Sequence, residues 1–181
     1  TESEPHVSDQ MAIPSYMGQG THLYTTSQLA RYAATLANSG TSYKLTLLDK
    51  VTNPQGETTQ ENETEAIGQV EMNKSQWEDI HDGMYRVVQT HAEFSGLGLA
   101  VAGKTGTAQE AEDRPDHGLF IGYAPYDSPE VALAVRIPNG YSSGNACLAA
   151  NDILKYIFRL ADEDEILTGY ASANSSDTSN D

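Results

Sequence analysis

Three strand-like apolar segments followed by a single helical pattern limit the folds open to the second half of this chain. The first segment covers the apolar run 97–102 and the residues directly after it, and the others cover 117–123 and 131–137. Turn-forming residues separate the last two segments, so we expect them to pair as antiparallel strands. Helical patterns precede the three strands and a further one follows them. This segregation predicts an α+β fold in which helices cover an antiparallel sheet.

Two helices are predicted ahead of these strands. The first is bounded by a cap at Thr25 or the next residue and by Gly40, and its apolar residues recur at helical spacing: Leu29, Tyr32, Ala33 and Leu36. The second begins at a capping box formed by Ser75 and Glu78, and it is expected to bury four apolar positions: Trp77, Ile80, Met84 and Val87 or Val88. Core packing is the favoured role of Trp77 and Met84, and lining a ligand pocket is the alternative.

A hairpin and a final helix complete the predicted elements. Residues 43–51 alternate weakly as a strand, and the turn signal at 53–56 indicates a hairpin that continues towards Thr59. The acidic stretch 61–65 is predicted to be a loop. The final helix covers 146–160 and is expected to bury one apolar stripe: Ala149, Ala150, Ile153, Leu154, Ile157 and Leu160.

The composition restricts the classes of partner. The chain has 181 residues, enough for one domain, and carries 26 acidic against 10 basic residues, which gives a formal net charge of -16. Such a field repels phosphate backbones and anionic lipid, so we expect no nucleic-acid partner. We assign residues 1–160 to the domain and residues 161–181 to an acidic, disordered tail.

Cys147 is the single cysteine, which excludes an internal disulfide, and no Cys/His spacing matches a zinc site. The sequence therefore implies no metal and no cofactor. Cys147 lies among small residues at the start of a predicted helix, and we interpret it as a packing residue rather than a reactive thiol. The sequence shows no signal peptide and no apolar run that could span a bilayer, so we expect either a soluble parent or a piece separated from its targeting segment.

The segment Lys104-Thr105-Gly106-Thr107-Ala108 carries the clearest chemistry in the chain. At the end of a strand, Lys104 and Gly106 share one face while Thr105 and Thr107 share the other. Gly106 lets a ligand lie close to the backbone, and the N–H of Thr107 is a candidate arm of an oxyanion hole. A cation, two hydroxyls and a backbone amide in succession predict a site that binds a carboxylate.

Lys-Thr-Gly is one of three signatures of the penicillin-binding proteins and class A β-lactamases, beside Ser-x-x-Lys and Ser-x-Asn. The chain contains no Ser-x-x-Lys, so it lacks the nucleophile of such an enzyme. A Ser-x-Asn match occurs at Ser143-Gly144-Asn145, but it follows the Lys-Thr-Gly, whereas the family places it before. We interpret this match as the capped start of the last helix.

The chain as a whole resembles the C-terminal half of the transpeptidase domain of a class B penicillin-binding protein of the elongation type, the PBP2 group. The pieces that match in order and spacing are 17–20, 28–32 together with 36–38 and Gly40, 104–109 and 117–125. The resemblance implies a five-stranded antiparallel sheet, of which this chain supplies the Lys-Thr-Gly strand and the two after it. The helix that bears the serine nucleophile would belong to the N-terminal half of the domain, which the chain lacks.

The resemblance also implies a function. The intact parent would be a serine D,D-transpeptidase of peptidoglycan synthesis that cleaves the terminal D-Ala-D-Ala bond of a stem peptide and passes the acyl group to an amine. Lys104 would orient the hydroxyl network and neutralise the substrate carboxylate, Thr105 and Thr107 would hydrogen-bond it beside Gly106, and the Thr107 N–H would join the oxyanion hole. β-Lactams would inhibit by acylating the serine. The parent would be anchored in the cell membrane and act on its extracytoplasmic face, and this chain alone would be inactive.

Other functions on the same fold stay open. One is a β-lactam-sensing or catalytically inactive penicillin-binding module, and another is a β-lactamase or carboxypeptidase that hydrolyses the acyl-enzyme. The expected partners are peptidoglycan stem peptides, β-lactams and the missing N-terminal half of the domain. An incomplete sheet would expose a strand edge beside apolar surface, which predicts self-association of the isolated chain.

Overall fold

The computed structural model describes residues 18, 23–109 and 113–167. The helices are α1 (Thr26–Ala37), α2 (Lys74–Gln89), α3 (Ser143–Phe158) and the short α4 (Glu163–Ile166), and a 3₁₀ turn covers Ala92–Phe94. The strands are β1 (Thr41–Tyr43), β2 (Lys50–Thr52), β3 (Thr58–Glu61), β4 (Ala66–Gln69), β5 (Ala102–Ala108), β6 (His117–Ala124) and β7 (Val131–Ile137). The order confirms the predicted α+β class.

The main sheet has the order β5-β6-β7, and both pairs are antiparallel, as predicted. The prediction was wrong about where the first of these strands begins. Residues 97–101 are irregular, and Gly96 and Gly98 adopt left-handed φ values of 77° and 72°. Because these glycines turn the chain before Ala102, the Lys-Thr-Gly residues lie in the middle of β5 rather than at its end.

One face of the sheet packs against α3. Phe120 and Val135 of the sheet belong to one apolar cluster with the helix residues that face them, which are Ala146, Cys147, Ala150 and Leu154. The small side chains of three of these helix residues allow the helix to approach the sheet closely.

The buried stripe of α3 differs from the predicted one. Ile153, Ile157 and Leu160 were expected inside, but they are 41%, 45% and 43% exposed. Asn151 is buried instead, because its side-chain amide donates a 2.7 Å hydrogen bond to the carbonyl oxygen of Glu93. The helix thus buries the face that contains this hydrogen-bonded amide, and not the more hydrophobic face that the sequence predicts.

The other face of the sheet packs against α1 and α2. Met84 of α2, Ala102 of β5 and Tyr123 of β6 form its buried centre. Trp77, Met84 and Val88 are the buried residues of α2, so Trp77 and Met84 pack in the core as predicted, and each also borders a surface groove. His81 ties the two helices together, since its Nε2 lies 2.7 Å from the carbonyl oxygen of Leu36 at the end of α1.

The helix caps are partly as predicted. Thr25 caps α1 in a reciprocal box with Gln28, which confirms the first predicted cap. The cap of α2 is Asn73 with Gln76, so the predicted box at residues 75–78 was wrong. Asn caps a helix as well as Ser does, and the Asn73 box lies two residues nearer the N-terminus.

The predicted hairpin exists as the pair β2 and β3, and all of its strand residues are exposed. Residues 43–51 are not one strand, however. Strand β1 ends at Tyr43 and pairs with β4, which the sequence analysis did not predict. Strand β4 follows the acidic loop and is itself exposed, so no apolar alternation marks it.

The predicted tail is only partly within the described residues. Residues 163–166 form the short helix α4, and residues 168–181 lie outside the described part, as do residues 17, 19 and 20 of the first matching stretch. Across the described ranges, no helix combines the length and the apolar character needed to cross a membrane.

Glycine is sterically required where β5 and β6 meet beneath Phe120. A Cβ at Gly103 would lie 2.7 Å from the carbonyl oxygen of Ile121, and a Cβ at Gly122 would lie 2.7 Å from that of Ala102. We expect Gly103→Ala and Gly122→Ala each to lower the free energy of unfolding by about 1–3 kcal/mol, measured by chemical denaturation. Gly83→Ala is the matched control, because nothing lies within 4 Å of its added Cβ and alanine favours helix by about 1 kcal/mol. Equal effects at all three positions would contradict this account of the sheet.

Cys147 is fully buried, and burial, followed by the nearby charge of Glu93, raises the pKa of its thiol to about 12. The thiol is therefore neutral at physiological pH. We expect a thiol reagent at pH 8 to label the folded chain more than about a hundredfold more slowly than the chain in denaturant. Labelling at similar rates in the two states would contradict the packing role, and Cys147→Ala supplies the blank.

Candidate functional site

Strand β5 positions the four predicted site residues through its ladder with β6. Lys104 lies opposite Ile121, Thr105 opposite Phe120, Gly106 opposite Leu119 and Thr107 opposite Gly118. The strand places Lys104 and Gly106 on the face of α1 and α2, and it places Thr105 and Thr107 on the face of α3. Within the described residues β5 lies at an edge of the sheet, so its far side is open to a ligand or to another strand.

Lys104 is exposed, and its Nζ donates a 2.8 Å hydrogen bond to the carbonyl oxygen of Thr105. The side chain therefore lies along the edge of β5 rather than within the helix layer. Holding an ammonium against the strand in this way leaves two of its three N–H donors for other acceptors.

A groove of about 340 Å³ begins beside Lys104, between the sheet and the two helices. Apolar side chains form most of its lining: Tyr32, Leu36, Ile80, Met84, Val87 and Ile121. Its volume falls in the range of small-ligand pockets. The groove therefore combines an apolar wall with two charged side chains of opposite sign, Lys104 and Asp79.

Gly106 has a different environment from Gly103. A Cβ at Gly106 would lie 3.5 Å from the Cβ of Leu119, which is an ordinary van der Waals contact. Packing among the described residues therefore does not require glycine at this position.

Thr107 is exposed and Thr105 half-buried, and the start of α3 lies close to their face of the sheet. Ser142 precedes the helix and makes no side-chain capping bond, whereas the side chain of Asn145 donates a 2.7 Å hydrogen bond to the carbonyl oxygen of Gly140. The interpretation of residues 143–145 as a helix start is thus confirmed, but the two side chains do not act as ordinary N-caps.

His117 was not predicted as a site residue from the sequence. It is buried at the start of β6, next to the partner of Thr107. Its Nδ1 accepts a 2.9 Å hydrogen bond from the backbone N–H of Asn139. The sequence signal closest to this contact was the turn at 138–140. That turn predicts the end of β7, but it does not predict a contact with His117. Across the described residues, no group of three or more acidic, His or Cys side chains could hold a metal ion.

Comparisons with known proteins show which family the chain belongs to. The penicillin binding protein transpeptidase domain matches residues 8–159 of the chain. The peptidoglycan D,D-transpeptidase MrdA of Acinetobacter baumannii is 32% identical over 161 residues, which cover 77% of this chain and 23% of that protein. Penicillin-binding protein 2A of Bacillus subtilis is 32% identical over 139 residues, which cover 67% of this chain and 19% of that protein.

Solved structures show the same fold. The D,D-transpeptidase domain of a peptidoglycan glycosyltransferase from Eggerthella lenta superposes with a TM-score of 0.67 at 28% identity, covering 78% of this chain and 34% of that one. Pseudomonas aeruginosa PBP2 in complex with WCK 5153 superposes with a TM-score of 0.63 at 29% identity, covering 83% of this chain and 32% of that one. The chain thus spans about a fifth of the length of these curated relatives and about a third of the solved chains. It belongs to the penicillin-binding protein transpeptidase family, with relatives of the PBP2 type.

Proposed function

We propose that this chain is the Lys-Thr-Gly half of a peptidoglycan D,D-transpeptidase that cross-links stem peptides by serine acyl transfer. The observation that carries the proposal is the position of residues 104–107. They lie mid-strand on β5, at a sheet edge in the described structure, with the ammonium beside an apolar groove. A second part of the domain, which carries the serine nucleophile, would form the opposite wall of the cleft.

Lys104 would bind the carboxylate of the terminal D-alanine and orient the hydroxyl groups around the serine. Its ammonium lies 2.8 Å from the Thr105 carbonyl oxygen, a contact that would favour a position at the strand edge before the substrate arrives. In the free chain the ammonium is exposed, and water weakens its attraction for an anion. Closure of the cleft by the rest of the domain would remove that water and strengthen the interaction.

Thr105 and Thr107 would contact the substrate from the other face of the strand. Their hydroxyl groups would hydrogen-bond the carboxylate or the neighbouring amide, and the N–H of Thr107 would join the serine N–H in an oxyanion hole. Gly106 lies between them without a packing requirement of its own, which supports a role in letting substrate lie close to the backbone.

The reaction class follows from these roles. The serine would attack the carbonyl carbon of the D-Ala-D-Ala bond, the terminal D-alanine would leave, and an amine of a second stem peptide would then take the acyl group. β-Lactams would enter the same cleft and acylate the same serine. The parent would act outside the cytoplasm and be held at the cell membrane by a segment beyond this chain.

We expect a full-length protein that contains this chain to be labelled covalently by a fluorescent penicillin, and the 181-residue chain to remain unlabelled. Gel fluorescence after denaturation measures the label, and an excess of unlabelled benzylpenicillin supplies the competition control. Labelling of the isolated chain would contradict the assignment of the nucleophile to another segment. A full-length protein that takes no label would favour a catalytically inactive module.

We expect Lys104→Ala in the full-length protein to slow acylation by carboxylate-bearing β-lactams by about a hundredfold, because a preorganised charged donor is lost. Stopped-flow or quenched labelling gives the rate. Lys50→Ala is the matched control, since Lys50 is an exposed lysine of the hairpin strand β2. An unchanged rate for Lys104→Ala would remove Lys104 from the substrate site.

A further inference from the structure

The loop between β7 and α3 holds two non-glycine residues at positive φ, a conformation that Asn tolerates and Tyr rarely adopts. We name residues 138–142 the strap. Asn139 has φ 52° and Tyr141 has φ 65°, and neither is glycine. A bulky residue such as Tyr rarely adopts this region, and such strain persists only where surrounding contacts enforce it. The contacts of the strap therefore indicate which part of the structure it holds in place.

The strap contacts the start of β6 through its backbone. The N–H of Asn139 donates to Nδ1 of His117 at 2.9 Å, and the N–H of Tyr141 donates to the carbonyl oxygen of Asp116 at 3.1 Å. His117 is 6% exposed, so its ring accepts this hydrogen bond away from bulk water. Both contacts join the strap to two consecutive residues at one end of the strand.

The strap also packs against the face of the sheet that carries Thr105 and Thr107. The carbonyl group of Ser142 lies directly over Gly118, where an added Cβ would clash with its oxygen. On the other side, the side chain of Asn145 binds the Gly140 carbonyl oxygen at 2.7 Å and joins the strap to α3. The strap is thus held between the first turn of the helix and the first residues of β6.

These first residues of β6 set the position of Thr107. Gly118 lies directly opposite Thr107 in the ladder, and His117 lies opposite Ala108. Among the described strands, β5 pairs with β6. A displacement of residues 117 and 118 would pass to Thr107 through the ladder.

We infer that His117 is a positioning residue, which places Thr107 and the oxyanion-hole end of β5 by holding the strap through its Nδ1. The inference rests on the proposed function for the role of Thr107. The link between His117 and Thr107 is a property of this chain and can be measured without any substrate. The geometry identifies Nδ1 as the acceptor in this bond, so the acceptor atom is what the role requires.

Two substitutions at His117 distinguish the effect of losing the hydrogen-bond acceptor from the effect of changing the packing. In His117→Asn, the side-chain oxygen occupies nearly the place of Nδ1 and can accept the Asn139 N–H. In His117→Leu, the site stays filled but the acceptor is lost. Amide hydrogen exchange by NMR on the isolated chain is the first readout, with the amides of α2 as an internal control for global stability.

We expect exchange at Asn139 and at Ala108, which lies opposite His117 in the ladder, to be about tenfold faster in His117→Leu and within about twofold of the unsubstituted chain in His117→Asn. Ala108 is the reporter because N–H groups alternate between the two sides of a strand, so its N–H faces β6 while that of Thr107 faces the open edge. Unchanged exchange at Ala108 in the leucine variant, with Asn139 released, would overturn the inference. If the leucine variant does not fold, Gly118→Ala tests the same link by displacing the strap carbonyl group. An unshifted Thr107 amide in that variant would equally overturn it.

The full-length protein supplies the second readout. At saturating fluorescent penicillin we expect the acylation rate to fall about tenfold in His117→Leu and to recover to within about twofold in His117→Asn, at similar melting temperatures. Equal rates in all three proteins would contradict the positioning role. Absence of labelling in the unsubstituted protein would count against the proposed function alone, because the exchange measurement stands independently of it.

Discussion

The ladder between β5 and β6 is the interaction on which the rest of the structure depends. All seven residues of β5 find a partner in it, from Ala102 opposite Tyr123 to Ala108 opposite His117. The glycine pair Gly103 and Gly122 makes this approach possible, because the ring of Phe120 occupies the space that their side chains would need. The register in turn decides which side chains face α3 and which face the groove. A slip of one residue would exchange the faces of Lys104 and Thr105 and destroy the candidate site.

Charge gives the site a second constraint. The chain carries a formal net charge of -16, so an anionic substrate approaches against a repulsive field. That field is screened within about 8–10 Å at physiological ionic strength, and only charges near the cleft act strongly on a bound ligand. The charges that matter most to the proposed site are therefore the ammonium of Lys104, which lies against the strand, and the carboxylate of Asp79, which lines the same groove. The proposed carboxylate site would require the attraction of Lys104 to exceed the repulsion of Asp79.

The sequence predicted the elements whose signals are local and apolar. The strands at 117–123 and 131–137 were found because each is a short apolar run between turns, and α1 was found because Thr25 caps a periodic pattern. Elements that depend on distant partners were missed. Strand β4 has no buried face and exists because it pairs with β1. The buried stripe of α3 includes Asn151, whose side chain is satisfied by a hydrogen bond to the carbonyl oxygen of the distant Glu93. The Lys-Thr-Gly residues were identified from their type and order, but their place in the middle of β5 depends on glycine conformations upstream.

The distribution of backbone strain separates ordinary chain reversals from the strap. The described residues include four non-glycine residues with positive φ. Ser39 follows the C-cap of α1 and Arg159 is the C-cap of α3, and a left-handed residue is the common way for a helix to end. Asn139 lies in the turn after β7, where Asn often adopts this conformation. Tyr141 has no such explanation. Both residues donate backbone hydrogen bonds at the start of β6, and the strap carbonyl group of Ser142 lies over Gly118, directly across the ladder from Thr107. The backbone strain therefore lies at the end of the sheet where the proposed oxyanion hole would form. A fixed geometry there would help to stabilise the transition state.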